Sequence, residues 1–457
     1  MKFRKSGKTL LTAALSTAIV FSLSSCVRSF TVGYLYVTGT VTATPSGNGI
    51  ISGFKIDNDT GALTAMHGLP VASGGANPVR AVLLTGGRFV YVLNQGVPTS
   101  GSFPCNATNP CAGANITQFV VGGNGILTPQ ETFFTQGINP FRLIADSSGN
   151  FLFALDHDAP SGAYCNTVVT GATSCGDVTV FSVNSTTGRL SLVTNAQLTS
   201  SAGTQVPYFP VPANPIDFTM ASGYLMTLSG LPGVNPTTPP AAGQTAYPYS
   251  YNSTNGQLSV SQSTPQIINN GSGDPLGQGT AMVYAAGKVY ILDNEPLTAT
   301  LNGATTTSAS QILPFTIGTN GALQSQVGGA TPDDPTEASP IYLIVESKNK
   351  YLYVANQQGA NINEGAGVVG FVIDPASNQL TEDPNSISPV GTGAIPECLL
   401  EDPSNQFIYT ANAGDSTVTG HVLDPKSGLL TQMHGKGSGT FSLNGPASWC
   451  VATGRTN

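Results

Sequence analysis

Hydrophobic and polar positions along the chain fall into one pattern that keeps returning. A short apolar run leads through a tight turn into a second run of aromatic and β-branched residues, then a loop, a third run centred on an aromatic residue, and a Gly-x-Leu step. The steps end at Leu63, Leu127, Leu190, Leu258, Leu323 and Leu430, with Asn378-Gln-Leu380 as a variant without glycine, a spacing of 50–68 residues. That period is too long for a helical solenoid, so an internal repeat outranks every other reading of the fold.

The repeat beginning at Asn77 shows what each unit predicts. Pro78-Val-Arg-Ala-Val-Leu-Leu84 reads as a strand, Thr85-Gly-Gly-Arg88 as a turn and Phe89-Val-Tyr-Val-Leu93 as a second strand. Ile116–Val121 and the residues after Ile126 supply the third and fourth. The second strand recurs at Phe151, Tyr224, Val289, Tyr351 and Phe407, and the third around Phe54, Phe119, Phe181, Tyr249, Phe315, Phe371 and His421. Four antiparallel strands, A to D, repeated seven times predict an all-β, seven-bladed β-propeller. Blades packed face to face bury both sides of each sheet, which accounts for the near-continuous apolar character of strands A and B.

The chain ends predict how the ring closes. Tyr34-Leu-Tyr-Val37 reads as a strand B without a preceding strand A, and Gly445-Pro-Ala-Ser-Trp-Cys-Val-Ala452 as a strand A without a following strand B. Joined, they make one blade from strands B–D of the N-terminus and strand A of the C-terminus.

Composition sharpens this picture. Only 9% of the 457 residues are charged, against about 25% in a typical soluble protein, and turn formers take the polar positions. Residues 1–25 carry Lys2, Arg4, Lys5 and Lys8, an apolar run from Leu10 to Leu23, and then Leu23-Ser-Ser-Cys26. This reads as a secretory signal whose ending resembles the lipobox of bacterial lipoproteins. The expected organisation is a signal at 1–25, a lipidated Cys26 with a tether to residue 30, and a propeller over 31–457. A diacylated Cys26 would hold the protein in the cell envelope without a membrane span, and Val27 after it fits sorting to the outer membrane. Removing the signal takes four of sixteen basic residues and no acidic ones, leaving net −12. Nucleic acid is an unsuitable partner for such a charge.

Six cysteines remain after Cys26. Cys105 with Cys111 and Cys165 with Cys175 form close pairs suited to disulfides in an oxidising compartment. Cys398 and Cys450 fall at nearly the same place in two repeats that would be ring neighbours, open either to a third bridge or to two free thiols.

The loops predict where function lies. Connections within strand pairs A–B and C–D are tight, whereas the B–C connections near 95–113, 157–175, 229–245 and 295–309 are long, and two of them carry the close cysteine pairs. Long stapled loops on one face mark it as the binding face. Strand A starts on that face beside the channel. Two residues after its starting proline the repeats offer Arg80, Arg142, Asp217, Tyr342, Cys398 and Ser448, with Glu397 one place earlier and no proline near Thr280. Two cations and two carboxylates there suit an anionic or polyhydroxylated ligand, and equally suit pairing among themselves. Asp156-His157-Asp158 has the composition of a metal or proton-transfer site and also that of a solvated turn. Asn94, Asp156, Asp293, Asn356 and Asn412 end successive B strands, where such side chains satisfy turn backbone. His421 sits at an aromatic core position, and His67 and His434 share a Met-His-Gly step. The stretch Asp333-Asp-Pro-Thr-Glu337 offers carboxylates for Ca²⁺ without the spaced ligands of a known loop. No cofactor is required by the sequence, and the metal is unknown.

Stretches such as Asp402-Pro-Ser-Asn-Gln-Phe-Ile-Tyr-Thr-Ala-Asn412 and Tyr351-Leu-Tyr-Val-Ala-Asn356, each followed by an Ile-Asp or Leu-Asp and a Gly-x-Leu or its variant, resemble the seven-bladed lactonase family. That family includes bacterial 6-phosphogluconolactonase and is close to the Tyr-Val-Thr-Asn repeat propellers. The resemblance covers about 31–457 and implies His, Arg and Glu around the channel mouth acting on a ring ester. Val79 and Phe141 stand where an inner-strand histidine would be sought. Arg80, Arg142, Glu397 and a displaced His157 are the residues left to fill those roles, with Asp217, Tyr342, Asp156 and Asp158 as ligand contacts. The expected function is a lipid-anchored, monomeric envelope propeller binding a small molecule, glycan or envelope protein, and alternatively a lactone hydrolase.

Overall fold

The computed structural model describes residues 30–41, 47–100, 105, 108–230, 244–262, 264–269, 277–301, 304–325, 329–361, 365–377, 379–384, 389–433 and 439–454. The signal segment, Cys26 and His434 lie outside the described residues. Seven antiparallel sheets follow one another, each ordered A–B–C–D, and form a seven-bladed β-propeller. The innermost strands of blades 2 to 7 are Pro78–Leu83, Ile138–Ala145, Pro215–Ala221, Gly279–Ala285, Glu337–Val345 and Pro396–Glu401. Each packs against its two neighbours, so the ring is complete.

Blade 1 is the composite expected from the chain ends. Ala447–Gly454 is its strand A and pairs with strand B, Thr31–Thr40, which pairs in turn with Asn48–Asp57. The third-strand aromatic positions align in every blade: Phe54, Phe119, Phe181, Tyr249, Phe315, Phe371 and His421 oppose Leu35, Val90, Leu152, Leu225, Val289, Leu352 and Ile408. His421 is buried there, as its position implied.

The Gly-x-Leu step proves to be cement between blades. A β-carbon at Gly61 would lie 2.5 Å from the Phe407 ring, and one at Gly125 equally close to Tyr34. The glycine therefore lets an aromatic residue of the preceding blade lie flat on the turn, and its positive φ is one that other residues adopt only with strain. Two residues further along strand B a tyrosine donates to that same glycine's carbonyl. Tyr36 reaches Gly125 at 2.6 Å, Tyr353 reaches Gly428 at 2.7 Å, Tyr409 reaches Gly61 at 2.6 Å, and Tyr91 bonds Gly188 likewise. Each such bond contributes about 1 kcal/mol net, and the set links blades 1 to 2, 2 to 3, 6 to 7 and 7 to 1.

One element lay below the resolution of the sequence pattern. In six blades the D–A connection returns along strand C as a short fifth strand, for example Val71–Ala76 in blade 1 and Phe209–Val211 in blade 3. Blade 2 instead extends strand D through a bulge to Phe133. The long B–C connections carry structure of their own: a two-residue hairpin at Val97–Pro98 and Cys111–Ala112, a 3₁₀ helix at Gly162–Thr167, and a hairpin of Leu297–Leu301 with Ala304–Ser308. Cys105–Cys111 and Cys165–Cys175 staple the first two. The third bridge also forms: Cys398–Cys450 joins the innermost strands of blades 7 and 1, where the ring closes.

Candidate functional site

Every innermost strand begins with the same irregularity. In blade 2 Pro78 opposes Asn94 and Arg80 opposes Leu93, so Val79 is an extra residue, a β-bulge. The shift recurs in all the other blades. The position after the bulge holds Arg80, Arg142, Asp217, Ala281, Tyr342, Cys398 and Trp449. Blade 1 corrects the reading from proline spacing, because its strand starts at Ala447 and Ser448 is the bulge residue. Trp449, not Ser448, is the equivalent of Arg80. Glu397 is the bulge residue of blade 7.

Five of the expected residues, Arg80, Arg142, Asp217, Tyr342 and Glu397, come together here around Trp449, which was not expected. The Arg80 guanidinium lies 3.7 Å above the Trp449 ring, and Tyr342 meets that ring edge-on at 4.8 Å. Arg142 is paired with Asp217, Nε to Oδ1 at 3.2 Å, and Asp217 also accepts from the Met282 backbone N–H at 2.8 Å. Glu397 accepts from Gln357 Nε2 at 3.0 Å. Arg80 by contrast donates to the Val79 carbonyl at 3.0 Å, and among the described residues no carboxylate lies within 4.0 Å of it.

Burial sets the protonation states. It lowers the Arg80 guanidinium to about 9, helped by the like charge of Arg142 and opposed by Asp217, Tyr342 and Glu397. Arg80 is still a cation at neutral pH. Burial raises the Glu397 carboxyl above its ordinary value, outweighing Arg80, Arg142 and Gln357. The result is a carboxylate of increased basicity within electrostatic reach of both guanidinium groups.

His157 lies at the border of the cluster, its ring stacked on Phe141 at 3.8 Å and 11°. Burial and then Arg142 push its imidazole down to about 4, leaving it neutral and a weak proton acceptor at physiological pH. Asp158 accepts from Asn139 at 3.3 Å. Asp156 is placed elsewhere: fully buried, it accepts from Thr135 and faces Asp177 across strands B and C of blade 3. No surface of it is open to a ligand. Other blades put amides or mixed pairs in this position, such as Asn94 with Asn115 and Asp293 with Gln311. Burial raises both blade 3 carboxyls, helped at Asp177 by the charges of Asp156 and Asp158 and at Asp156 by that of Asp158, so the pair holds a proton where an isolated aspartate would not.

Trp449 and Gln357 were missed by sequence reasoning. The only tryptophan in the chain, placed in the closing strand, was an available signal for the first; nothing marked the second. In the acidic stretch after Thr331, Asp333 accepts from Ser310 and Asp334 from Thr336. Among the described residues no three His, Cys, Asp or Glu side chains converge as a metal site. A cleft of about 650 Å³ opens on the opposite, tight-turn face between blades 7, 1 and 2, lined by Leu84, Glu401, Asn405 and Gly454. It lacks the convergent charges of the bulge layer.

Fold and site together define a seven-bladed β-propeller with a charged, aromatic layer at one channel mouth. Residues 299–444 match the sequence model of the family described as Lactonase, 7-bladed beta-propeller. Three solved structures share the fold. A putative 6-phosphogluconolactonase from Bacteroides uniformis is 13% identical with a TM-score of 0.61, covering 93% of this chain and 100% of that one. The periplasmic gluconolactonase PpgL of Pseudomonas aeruginosa is 16% identical with a TM-score of 0.58, covering 93% and 99%. A protein from Lactobacillus plantarum is 15% identical with a TM-score of 0.60, covering 93% and 100%. No curated protein matches the chain in sequence.

Proposed function

We propose that the channel mouth on the long-loop face binds a small oxyanionic ligand, with Arg80 as its anchor, in a propeller exported to the cell envelope and held there by lipid on Cys26. One observation carries this reading. Arg142 is neutralised by Asp217, whereas Arg80 is supported from beneath by Trp449 and has no carboxylate partner among the described residues. A guanidinium held over an aromatic ring still presents N–H donors at its edge to a carboxylate or phosphate. The stapled B–C loops wall this face, and within it Arg80 is the cation without a carboxylate within 4.0 Å among the described residues.

Glu397 favours a second reading, lactone hydrolysis. With its basicity raised by burial, this carboxylate suits a general base that activates water, while Arg80 stabilises the oxyanion formed at the ring carbonyl. The lactonase-family match over 299–444 lends support. His157, held neutral and weakly basic, is the poorer candidate for the base.

Calorimetry of residues 27–457 with aldonates, sugar phosphates and aldonolactones, beside hydrolysis assays, tests both readings. Binding lost in Arg80→Gln supports the anchor. Hydrolysis lost in Glu397→Gln with binding kept supports catalysis, and turnover unchanged in that variant removes it. Envelope anchoring is tested separately, by whether Cys26→Ser releases the protein from membranes.

A further inference from the structure

In five of the seven blades the residue before the strand A proline has a demanding backbone. In blades 2, 3, 4 and 6 it has positive φ and is Asn77, Asn139, Asn214 or Ser339, short polar residues of which asparagine best tolerates the left-handed region. Blade 7 puts Ile395 there, at φ 54°. A β-branched residue in that region is a strained outlier, and Ile395 is left 45% exposed rather than packed into the core.

The surroundings hold the strain in place. Gly393 N–H donates to Thr419 Oγ1 at 3.0 Å and Ala394 N–H to Asp415 Oδ2 at 3.2 Å. The carbonyls of Ala394 and Ile395 each accept at 2.8 Å, from the N–H groups of Gly414 and Ala413. Four hydrogen bonds thus fix three residues in a conformation that asparagine would adopt at lower cost. Strain kept in this way points to a task for the side chain.

Position suggests the task. Ile395 precedes Pro396, whose carbonyl accepts from Gln357 at 3.4 Å, and stands two residues from Glu397, which accepts from the same amide. The B–C connection of its blade, between Asn412 and Thr417, is short, so no long loop of that blade covers this part of the rim. The bulge layer is charged and aromatic, and Ile395 adds an exposed aliphatic group at its edge.

We propose that Ile395 is a specificity residue of the mouth, an apolar contact for a hydrocarbon substituent on the oxyanionic ligand that Arg80 anchors. The inference rests on the binding reading above and narrows the ligand to an amphiphilic acid or its lactone. Each methylene covered by Ile395 strengthens binding about fourfold.

Straight-chain carboxylates from acetate to octanoate, titrated calorimetrically into residues 27–457, read this directly. The wild type is expected to bind octanoate at least ~10-fold more tightly than acetate, as two covered methylenes require. Ile395→Asn should collapse that ratio while raising the melting temperature through relief of strain, and Ile395→Val should retain the ratio. An equal ratio in wild type and Ile395→Asn, or no chain-length dependence in the wild type, overturns the proposal. Chain-length dependence that survives unchanged in Arg80→Gln overturns the anchor instead and leaves Ile395 standing. No binding of any carboxylate overturns both.

Discussion

Ring closure rests on the pairing of Ala447–Gly454 with Thr31–Thr40, and the Cys398–Cys450 bridge anchors that closing strand to blade 7, so removing the bridge should be felt by the whole propeller. The bridge ties the C-terminal strand of blade 1 to blade 7 across a separation of 52 residues. Loop-closure entropy for that length destabilises the unfolded chain by about 4 kcal/mol. Unfolding entropy of roughly 2.1 cal/mol/K per residue, about 0.9 kcal/mol/K for the propeller, converts this into a fall of about 4–5 °C in Tm for Cys398→Ala/Cys450→Ala. The chain supplies its own probe, because its single tryptophan is Trp449, adjacent to Cys450 in the closing strand. Tryptophan emission and far-UV circular dichroism should therefore be followed together during urea unfolding. In the variant both midpoints should fall, and the emission change should come first as Ala447–Gly454 leaves its pairing with Thr31–Thr40. A variant with unchanged midpoints and coincident transitions would refute the closure argument.

Two further outcomes follow from buried groups. Asp156 and Asp177 hold a proton in the folded state that the unfolded chain releases above about pH 4. The folded protein therefore binds more protons over that range, and stability falls as pH rises from about 4 to the folded pKa, by up to about 1.4 kcal/mol per pH unit, then levels. Asp156→Asn supplies an amide like that of Asn94 in blade 2, so urea midpoints at pH 5 and pH 8 should differ less than in the wild type; an unaltered difference would contradict the shared proton. Tyr409→Phe leaves the Gly61 carbonyl without its buried donor and should cost about 1–2 kcal/mol in urea unfolding. No loss there would mean that the glycine step does not join the blades.

Much of this architecture was legible because each blade repeats the same contacts. The aromatic start of strand B and the Gly-x-Leu step predicted one another's spacing, and the structure shows why: Phe407 lies on Gly61 and Tyr409 bonds its carbonyl. The composite blade was legible from two unpaired half-repeats. The register of Ala447–Gly454 was not, since Pro446 imitates the starting prolines yet stands one residue earlier, which hid Trp449 behind Ser448. The returning fifth strands pair through as few as two residues, too short to carry a period. At the site, strand-start positions identified Arg80, Arg142, Asp217, Tyr342 and Glu397 as neighbours. The withdrawal of Asp156 into blade 3 depended on Asp177, a partner 21 residues away that no local pattern connects to it.

The claim that function resides in the bulge layer is tested most directly by one titration. Residues 27–457 and Arg80→Gln, both shown to be folded by coincident far-UV spectra, are titrated with gluconate and 6-phosphogluconate in a calorimeter at neutral pH. Loss of one charged guanidinium contact predicts binding weakened by about 10- to 100-fold, matching about 1.5–3 kcal/mol for a charge-assisted hydrogen bond. Equal affinity in the two proteins, or wild-type binding that Arg80→Gln leaves untouched while a change elsewhere abolishes it, would contradict the assignment of the channel mouth.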